Sequence, residues 1–575
     1  MARAAAGPAG DALPVGARRG GARRGGGVVS GQPRVRHNDW SVIEVPALGA
    51  WEPRLSVSVV VPAYRSETLL PIVLAGLAAQ TYPSHLLEVV VANDGPDDLE
   101  LPEVRPERTR IVRVASGWGR ANACHTGALA SDGDVLHWLD ADMLVEREHV
   151  EAQLRWHHAI DHAVVLGHKW FVDPEPVLAA GPAAVRAAVA DGSVATYFEG
   201  RPREPHEWVE QTYERTDDLR SAGPRALRTH VGATASLRRS LYDAAGGMDT
   251  SLVLGEDIDL GHRLAEVGAV FVPDRSARSW HLGPSHVMTQ RDRVNDHNDP
   301  YLADRVPDLR PKRRPGRLYT VPYLEVVLDT RGQPHEAVCT VVDAVLASTL
   351  ADLSVVLLGD WDALTDERRS PLTEPLLETR LVHASYVGDP RVRFLAELPE
   401  GRCPAMFRMT LPGAGWAPRQ LALAAMLMHL ERTHHGLRQV YCPDGSVVRI
   451  ERTAAVSRAH LVADPGEDLD DVVDELFGSW WLEAEDAGFV AVADMRRPRL
   501  PGIAGPPLDP AESWRELHER PHPHARPHPN AAKAGTSPRA PQSGPRPDPA
   551  PEPQPESAGT DRASLLARAR RRLHR

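Results

Sequence analysis

Val135-Leu136-His137-Trp138-Leu139-Asp140-Ala141-Asp142 is a mostly apolar run that ends in two carboxylates one residue apart. In an extended segment residues i and i+2 point to the same side, so Asp140 and Asp142 can converge on one cation or on a water-bridged diphosphate. A solvated turn after a strand looks the same in isolation, so the rest of the chain has to decide between the two.

Working outward, Leu55 to Val61 reads as a buried parallel strand that stops at Pro62-Ala63-Tyr64-Arg65. Ser66 is placed to cap a helix whose apolar positions are Leu69, Leu70, Val73, Leu74 and Leu77. A second strand, Leu87 to Ala92, ends in Asn93-Asp94-Gly95. A third, Ile111 to Val114, leads to Gly117-Trp118-Gly119-Arg120-Ala121-Asn122 and a small-residue helix. This β-α-β-α-β alternation predicts an α/β fold with polar loops at successive strand carboxyl ends, where open sheets bind their ligands. A nucleotide there would have Asp94 near its base or ribose and Asp140-Ala141-Asp142 near its phosphates.

Downstream, a helix is expected from about Glu146 to His158 and a strand from Ala163 to Leu166. An irregular stretch follows from about 170 to 228, dotted with Trp170, Phe171, Tyr197, Phe198, Trp208 and Tyr213. It is either a place for an acceptor or a cover for the sheet. Val231 to Arg239 leads into a helix, and Gly255-Glu256-Asp257-Ile258-Asp259-Leu260 opens another that runs to Val267. Helix dipoles favour carboxylates at that end, so a structural role for Glu256 and Asp257 competes with a chemical one. Phe271-Val272-Pro273 and Arg278-Ser279-Trp280-His281-Leu282 close the unit, with His281 a candidate third metal ligand.

Composition narrows the class. A chain of 575 residues is too long for one core. No apolar run approaches the roughly 20 residues needed to cross a bilayer, and the first residues lack the apolar centre of a secretory signal. Four cysteines without a C-x-x-C pair point to neither a disulfide scaffold nor structural zinc, and a reducing cytoplasm fits. A net charge of −12 argues against nucleic acid as partner. Lysine is almost absent, with only Lys169, Lys312 and Lys533.

Five segments stand in a recurring order: Val59-Val60-Val61-Pro62-Ala63-Tyr64-Arg65, Val89-Val90-Val91-Ala92-Asn93-Asp94-Gly95, Trp138-Leu139-Asp140-Ala141-Asp142, Gly232-Ala233-Thr234-Ala235-Ser236-Leu237-Arg238-Arg239, and Gly246-Gly247-Met248-Asp249 followed by Gly255-Glu256-Asp257. Together they resemble the family 2 glycosyltransferases of GT-A fold, over Val57 to about Pro284. The last segment, through Trp280-His281, also looks like the C-terminal part of galactosyl- and N-acetylgalactosaminyl-transferases. The resemblance implies a mostly parallel central sheet flanked by helices, and an inverting transfer from a nucleotide-diphospho-sugar donor, a UDP-sugar, to a hydroxyl of a glycan, lipid-linked or other acceptor in cell-envelope polysaccharide or glycoconjugate synthesis. It implies that Pro62, Ala63, Tyr64 and Asp94 hold the nucleoside with Arg120 and Asn122 nearby. Asp140 and Asp142, completed by His281, would hold Mn²⁺ or Mg²⁺ on the donor diphosphate, and Asp257, next to Glu256, would be the base.

The pattern then restarts in weaker form. Tyr323 to Leu328 matches the first strand, Leu353 to Asp360 the second, and Pro412-Gly413-Ala414 falls where Asp140-Ala141-Asp142 should be. Thr453 to Arg458 echoes Thr234 to Arg239, and Gly466 to Asp470 echoes Gly255 to Asp259. The expected organisation is a disordered basic segment at 1–38, a catalytic unit at 39–300, a linker at 301–319, a smaller, degenerate and non-catalytic GT-A-like unit at 320–498, and a disordered Pro/His-rich tail at 499–575. The last residues, Arg562 to Arg575, read either as a basic amphipathic helix touching the inner membrane face or as a solvated tail. A phosphatase that uses D-x-D as nucleophile would carry it on its first strand, and a nucleotidyltransferase would want a Gly-rich loop after strand one. The remaining alternative is a non-catalytic glycan- or partner-binding scaffold, which the intact Asp140, Asp142 and Asp257 oppose.

Overall fold

The computed structural model describes residues 31–310, 317–367 and 370–495. Its first sheet is built from β1 (Val57–Ala63), β2 (Leu87–Asn93), β3 (Thr109–Arg113), β4 (Val135–Leu139), β5 (Met143–Val145), β6 (Ala163–Val172), β7 (Arg203–Pro205), β8 (Thr234–Arg238) and β9 (Val270–Leu282). Between them lie α1 (Leu70–Leu77), α2 (Arg120–Leu129), α3 (His149–Ala159), α4 (Glu175–Asp191), α5 (Glu207–Thr216), α6 (Arg239–Ala244) and α7 (Glu256–Glu266). The strands run β3-β2-β1-β4-β8-β6-β9-β5, with β7 on β6. Pairing is parallel from β3 to β4, antiparallel on both sides of β8, and parallel again between β6 and β9.

The uninterrupted valines explain where β1 sits. Val57 and Val59 to Val61 are fully buried, as a strand covered on both faces requires. Val59 and Val61 pack with Leu74 of α1 and Leu154 of α3 on one face. Val60 packs with Trp138, Cys124 of α2 and Leu264 of α7 on the other. Gly127 lets α2 lie close, because a Cβ there would stand 2.4 Å from Val60 Cγ1.

Several expected boundaries move. β1 continues through Pro62 to Ala63, which is tolerated because β4 pairs with it only as far as Val60, leaving the far end without a ladder on that side. Ser66 does not cap α1; the helix begins at Leu70, and the Ser66 carbonyl takes the Leu69 and Leu70 amides. A short β5 intervenes before α3 and pairs antiparallel with β9. β6 extends to Val172 across a bulge between Gly167 and His168, so Trp170 and Phe171 belong to a strand, not to an irregular stretch.

After α8 (His286–Arg305) comes a seven-stranded sheet. Its elements and their partners, in chain order, are β10 (Leu324–Asp329), α9 (His335–Leu346), β11 (Leu353–Leu358), α10 (Leu377–Tyr386), β12 (Val392–Leu395), β13 (Phe407–Leu411), β14 (Trp416–Pro418), α11 (Ala422–Thr433), β15 (Leu437–Tyr441), β16 (Val447–Arg452), α12 (Thr453–Val462), α13 (Leu469–Phe477), β17 (Ser479–Glu483) and β18 (Phe489–Ala491). The order β12-β11-β10-β13-β16-β15-β17 repeats β3-β2-β1-β4-β8-β6-β9, and every pairing keeps the direction of its counterpart. The separate β14–β18 pair is antiparallel, like β5–β9. One sequence echo is displaced, because Thr453–Val462 is a helix. Arg452 faces Phe407 as Arg238 faces Val135, so β16, not Thr453 to Arg458, is the counterpart of Thr234–Arg238.

Both sheets belong to one compact unit. Arg458 of α12 is buried and donates to the carbonyls of Gly268 (2.8 Å) and Ala269 (2.5 Å) before β9, and to that of Val35. Order therefore begins earlier than residue 38: Val35 is buried, and the Asn38 amide bridges Leu219 and both backbone groups of Phe271. The expected linker also starts late, since α8 runs to Arg305 and Arg310 makes a buried ion pair with Asp352 at 2.6 Å. Residues 1–30, 311–316 and 496–575, with the expected tail and the Arg562–Arg575 segment, lie outside the described residues. Among the described residues no helix is long and apolar enough to cross a membrane.

Candidate active site

The loops at the carboxyl ends of β1, β2 and β4 meet, as parallel topology dictates. Asp94 follows β2; its amide donates to the Ala63 carbonyl, and its Oδ2 accepts the Gly119 amide at 2.6 Å. That turn needs glycine, with φ of 73° at Gly117 and 98° at Gly119. Asn122, in the first turn of α2, spends its amide on the Ser116 carbonyl at 2.5 Å, so it braces the same turn. Pro62 is half-buried and Ala63 buried, whereas Tyr64 is 58 % exposed beside the Arg65 guanidinium.

Arg120 is the hub of the acidic groups. Its Nε donates to Asp140 Oδ1 (2.8 Å), Nη1 to Glu256 Oε1 (3.0 Å) and Nη2 to the Gly232 carbonyl (2.5 Å). Burial works against its charge, but Asp140, Glu256 and Asp257 together hold its pKa well above the usual arginine value. Glu256 lies behind it, 5 % exposed, and burial with the neighbouring Asp257 pushes its carboxyl up to about 7 against the pull of Arg120. Asp257 is half-buried, and burial raises its carboxyl too, although Arg120 opposes this. Its Oδ1 accepts the Ile258 amide at 2.8 Å, and its backbone carbonyl accepts from His230 Nδ1 at 2.7 Å.

β5 brings the second aspartate to β9, since Met143 faces His281 in the ladder. Asp142 Oδ2 is 3.7 Å from His281 Nε2, and Asp142 Oδ1 is buried with no hydrogen-bond partner. Burial raises the Asp142 carboxyl against the pull of His281. His281 Nδ1 donates to the Gly283 carbonyl at 2.9 Å, which leaves Nε2 as an acceptor facing Asp142. A carboxylate with one orphaned oxygen and the other facing an imidazole lone pair suits a divalent cation. Asp140 is drawn aside by Arg120, and among the described residues no three His, Cys, Asp or Glu side chains form a ready cluster.

Two cleft residues lay outside the sequence motifs. Lys169 of β6 is 6 % exposed, and burial pushes its ammonium down to about 8 despite Asp140, Asp257 and Glu210. His206 precedes α5; its Nδ1 is buried without a partner, and burial pushes the ring down to about 3. The one available signal was compositional: Lys169 is the only lysine among the described residues of an arginine-rich chain.

Residues 58–244 match the family model described as glycosyl transferase family 2, about a third of the chain. A validoxylamine A glucosyltransferase from Streptomyces hygroscopicus subsp. limoneus is 27 % identical over 278 residues, covering 46 % of this chain; the chain spans 59 % of that relative's length. Among solved structures, the mannosyltransferase PcManGT from Pyrobaculum calidifontis, in complex with GDP-Man and Mn²⁺, aligns at 17 % identity over 46 % of this chain and 66 % of its own, with a TM-score of 0.32. S. aureus TarS aligns at 16 % identity over 40 % and 36 %, with a TM-score of 0.27.

Proposed function

We propose that the glycosyltransferase family 2 domain at residues 58–244, completed by α7 and β9, moves a hexosyl or N-acetylhexosaminyl group from a UDP-sugar to an acceptor hydroxyl with inversion. The observation that carries this reading is that carboxylates from separate chain segments, Asp94, Asp140 with Asp142, and Glu256 with Asp257, gather around the carboxyl ends of one sheet with Arg120 among them. Asp94 and Tyr64 would meet the nucleoside. Asp142 and His281, with Asp140, would hold Mn²⁺ or Mg²⁺, and a cation there would neutralise the departing diphosphate. Arg120 fixes Asp140 and Glu256. Asp257, not locked behind Arg120 as Glu256 is, would take the proton of the acceptor hydroxyl. The relative named as a glucosyltransferase supports a hexosyl donor. On the same reading the acceptor is a glycan or lipid-linked saccharide of the cell envelope, met at the cytoplasmic face of the membrane.

The test is nucleoside diphosphate release from UDP-glucose, UDP-galactose, UDP-N-acetylglucosamine and GDP-mannose with Mn²⁺ or Mg²⁺. At least one UDP-sugar should be consumed, and EDTA should stop it. Consumption of none, or full activity in EDTA, overturns the reading.

A further inference from the structure

The shared strand order leaves one face of the second sheet uncovered. With Arg452 set against Phe407 as Arg238 is set against Val135, Gln439 of β15 and Arg449 of β16 take the places of Leu166 and Ala235. In the first sheet those two residues are buried in a cluster with Val209 and Tyr213 of α5 and with Leu227. All three covering residues come from the long β6–β8 connection. Between β15 and β16 that connection shrinks to residues 442–446, without a helix, and water reaches the strands.

Aromatic residues stand there. Across the three strands Trp481, Gln439 and Arg449 form one row, and Glu483, Tyr441 and Val447 the next. Successive strand residues alternate in side, so these six share the bare face. Val440 and Trp480 point the other way, Val440 into the core and Trp480 against His429 of α11. Trp481 is 61 % exposed and Tyr441 40 %. Their rings stand at 87° with centroids 6.2 Å apart, so they form a corner open to solvent. A pair of large rings on a wetted strand face raises the free energy of the chain where polar residues would not, which marks a contact surface.

The polar groups around the corner define its guest. Tyr441 Oη donates to Gln439 Oε1 (3.2 Å), and Gln439 Nε2 donates to Asp470 of α13 (3.1 Å). Arg449 donates to Asp470 (2.7 Å) and Glu451 (2.6 Å), so its charge is already balanced, and an anionic guest would meet the exposed Glu483 carboxylate instead. A neutral pyranose fits, because its C–H face is apolar enough to lie on an indole while its rim of hydroxyls can donate to Glu483. A second copy of the chain is the rival occupant, since β17 is the last strand of its sheet. Its five residues of edge offer far less than the roughly 1,200 Å² that a stable dimer buries.

We propose that Trp481 and Tyr441 form a non-catalytic saccharide-binding site, in which a neutral sugar ring stacks on the Trp481 indole, sets its edge against Tyr441 and donates hydroxyls to Glu483. The site is separate from the carboxylate cluster of the first sheet and does not depend on the transfer reaction.

The experiment titrates the full-length chain with maltohexaose, cellohexaose and α-1,6-linked mannohexaose, read by calorimetry and saturation-transfer NMR. UDP affinity, melting temperature and light-scattering mass are measured beside them. At least one hexasaccharide should bind. Trp481→Ala should weaken it by about tenfold or more, and Tyr441→Ala by about threefold or more, whereas Trp481→Phe, which keeps a ring, should stay within about threefold of wild type. UDP affinity and melting temperature should not change in any of them, because both side chains are exposed. If Trp481→Ala melts at a lower temperature, Tyr441→Ala carries the test alone. Failure of every hexasaccharide to bind, or binding undiminished in Tyr441→Ala, would overturn the assignment. A wild-type mass of two chains that Trp481→Ala returns to one would also overturn it, by giving the patch to a second copy. A chain that consumes no nucleotide sugar yet binds a hexasaccharide through Trp481 sinks the transferase reading and upholds this one.

Discussion

The two sheets share one strand order and differ in what their loops carry. The first places Asp140-Ala141-Asp142 between β4 and β5; the second places Pro412-Gly413-Ala414-Gly415 between β13 and β14. In the register that sets Arg452 against Phe407 as Arg238 is set against Val135, Leu437 and Ser479 take the places of Val164 and Phe271, so β17 matches the first part of β9 and not the Ser279–Leu282 rungs that bring His281 to Asp142. No helix joins β12 to β13, so α2 and its Arg120 have no counterpart, and residues 442–446 replace the long β6–β8 connection that carries α4, β7 and α5. Trp280 is 4 % exposed against Phe198 of that connection. Asp470, in the first turn of α13, is instead tied by Arg449. The lesson is that topology is held by the apolar rungs that both halves keep, whereas the chemistry proposed for one half rests on a few polar residues that the other lost without losing its fold.

The largest effect should come from the residue that most separates the halves. Asp142→Asn should bring transfer down by several kcal/mol, to the edge of detection, with the melting temperature little changed. Rates measured with and without EDTA check this, and full activity in the variant would erase the contrast with Pro412–Gly415.

Next comes the base. Asp257→Asn should cost about 10²–10⁴ in turnover while nucleotide-sugar affinity, read by calorimetry, stays within a few-fold, because a base acts mainly in the transition state. Glu256→Gln should be milder. The reverse ranking would mean that the buried partner of Arg120, not Asp257, takes the proton.

The comparison also fixes a stoichiometry. Titrating the full chain with UDP and Mn²⁺ should give one site, absent in Asp142→Asn. A second saturable, metal-dependent site would show that the β10–β18 half still binds nucleotide.

The smallest effect is on stability. The Glu256 carboxyl is raised in the folded chain to about 7 from an ordinary value of 4.5. The folded state therefore holds one more proton than the unfolded state between those limits. Its contribution is fully present below about pH 4.5 and is lost as pH rises towards 7, by roughly 1–3 kcal/mol. Unfolding midpoints at pH 5 and pH 7 should converge in Glu256→Gln; an unchanged difference would remove this group from the account.

The chain alone specified the parallel β1–β4 framework, because wholly buried strands are written as unbroken valine and leucine runs; Val135–Leu139 was legible to the residue. It also marked Asp94, Asp140, Asp142, Glu256, Asp257 and His281, because a strand-end loop puts its polar residues where ligands bind. What it left open depended on partners far away in sequence. Three-residue β5 is recognisable only through its pairing with β9, the bulge at Gly167/His168 only through the ladder it interrupts, and the ordered start near Val35 only through Arg458 more than 400 residues on. That Arg120 is held between Asp140 and Glu256 is seen only once distant segments meet. Lys169, in the sequence only one of three lysines, is set apart by its burial on β6. Local pattern determines which residues can be buried, since it reflects each side chain's own preference for water. Which charges end up facing one another is a property of contacts between distant segments, and only the tertiary structure decides it.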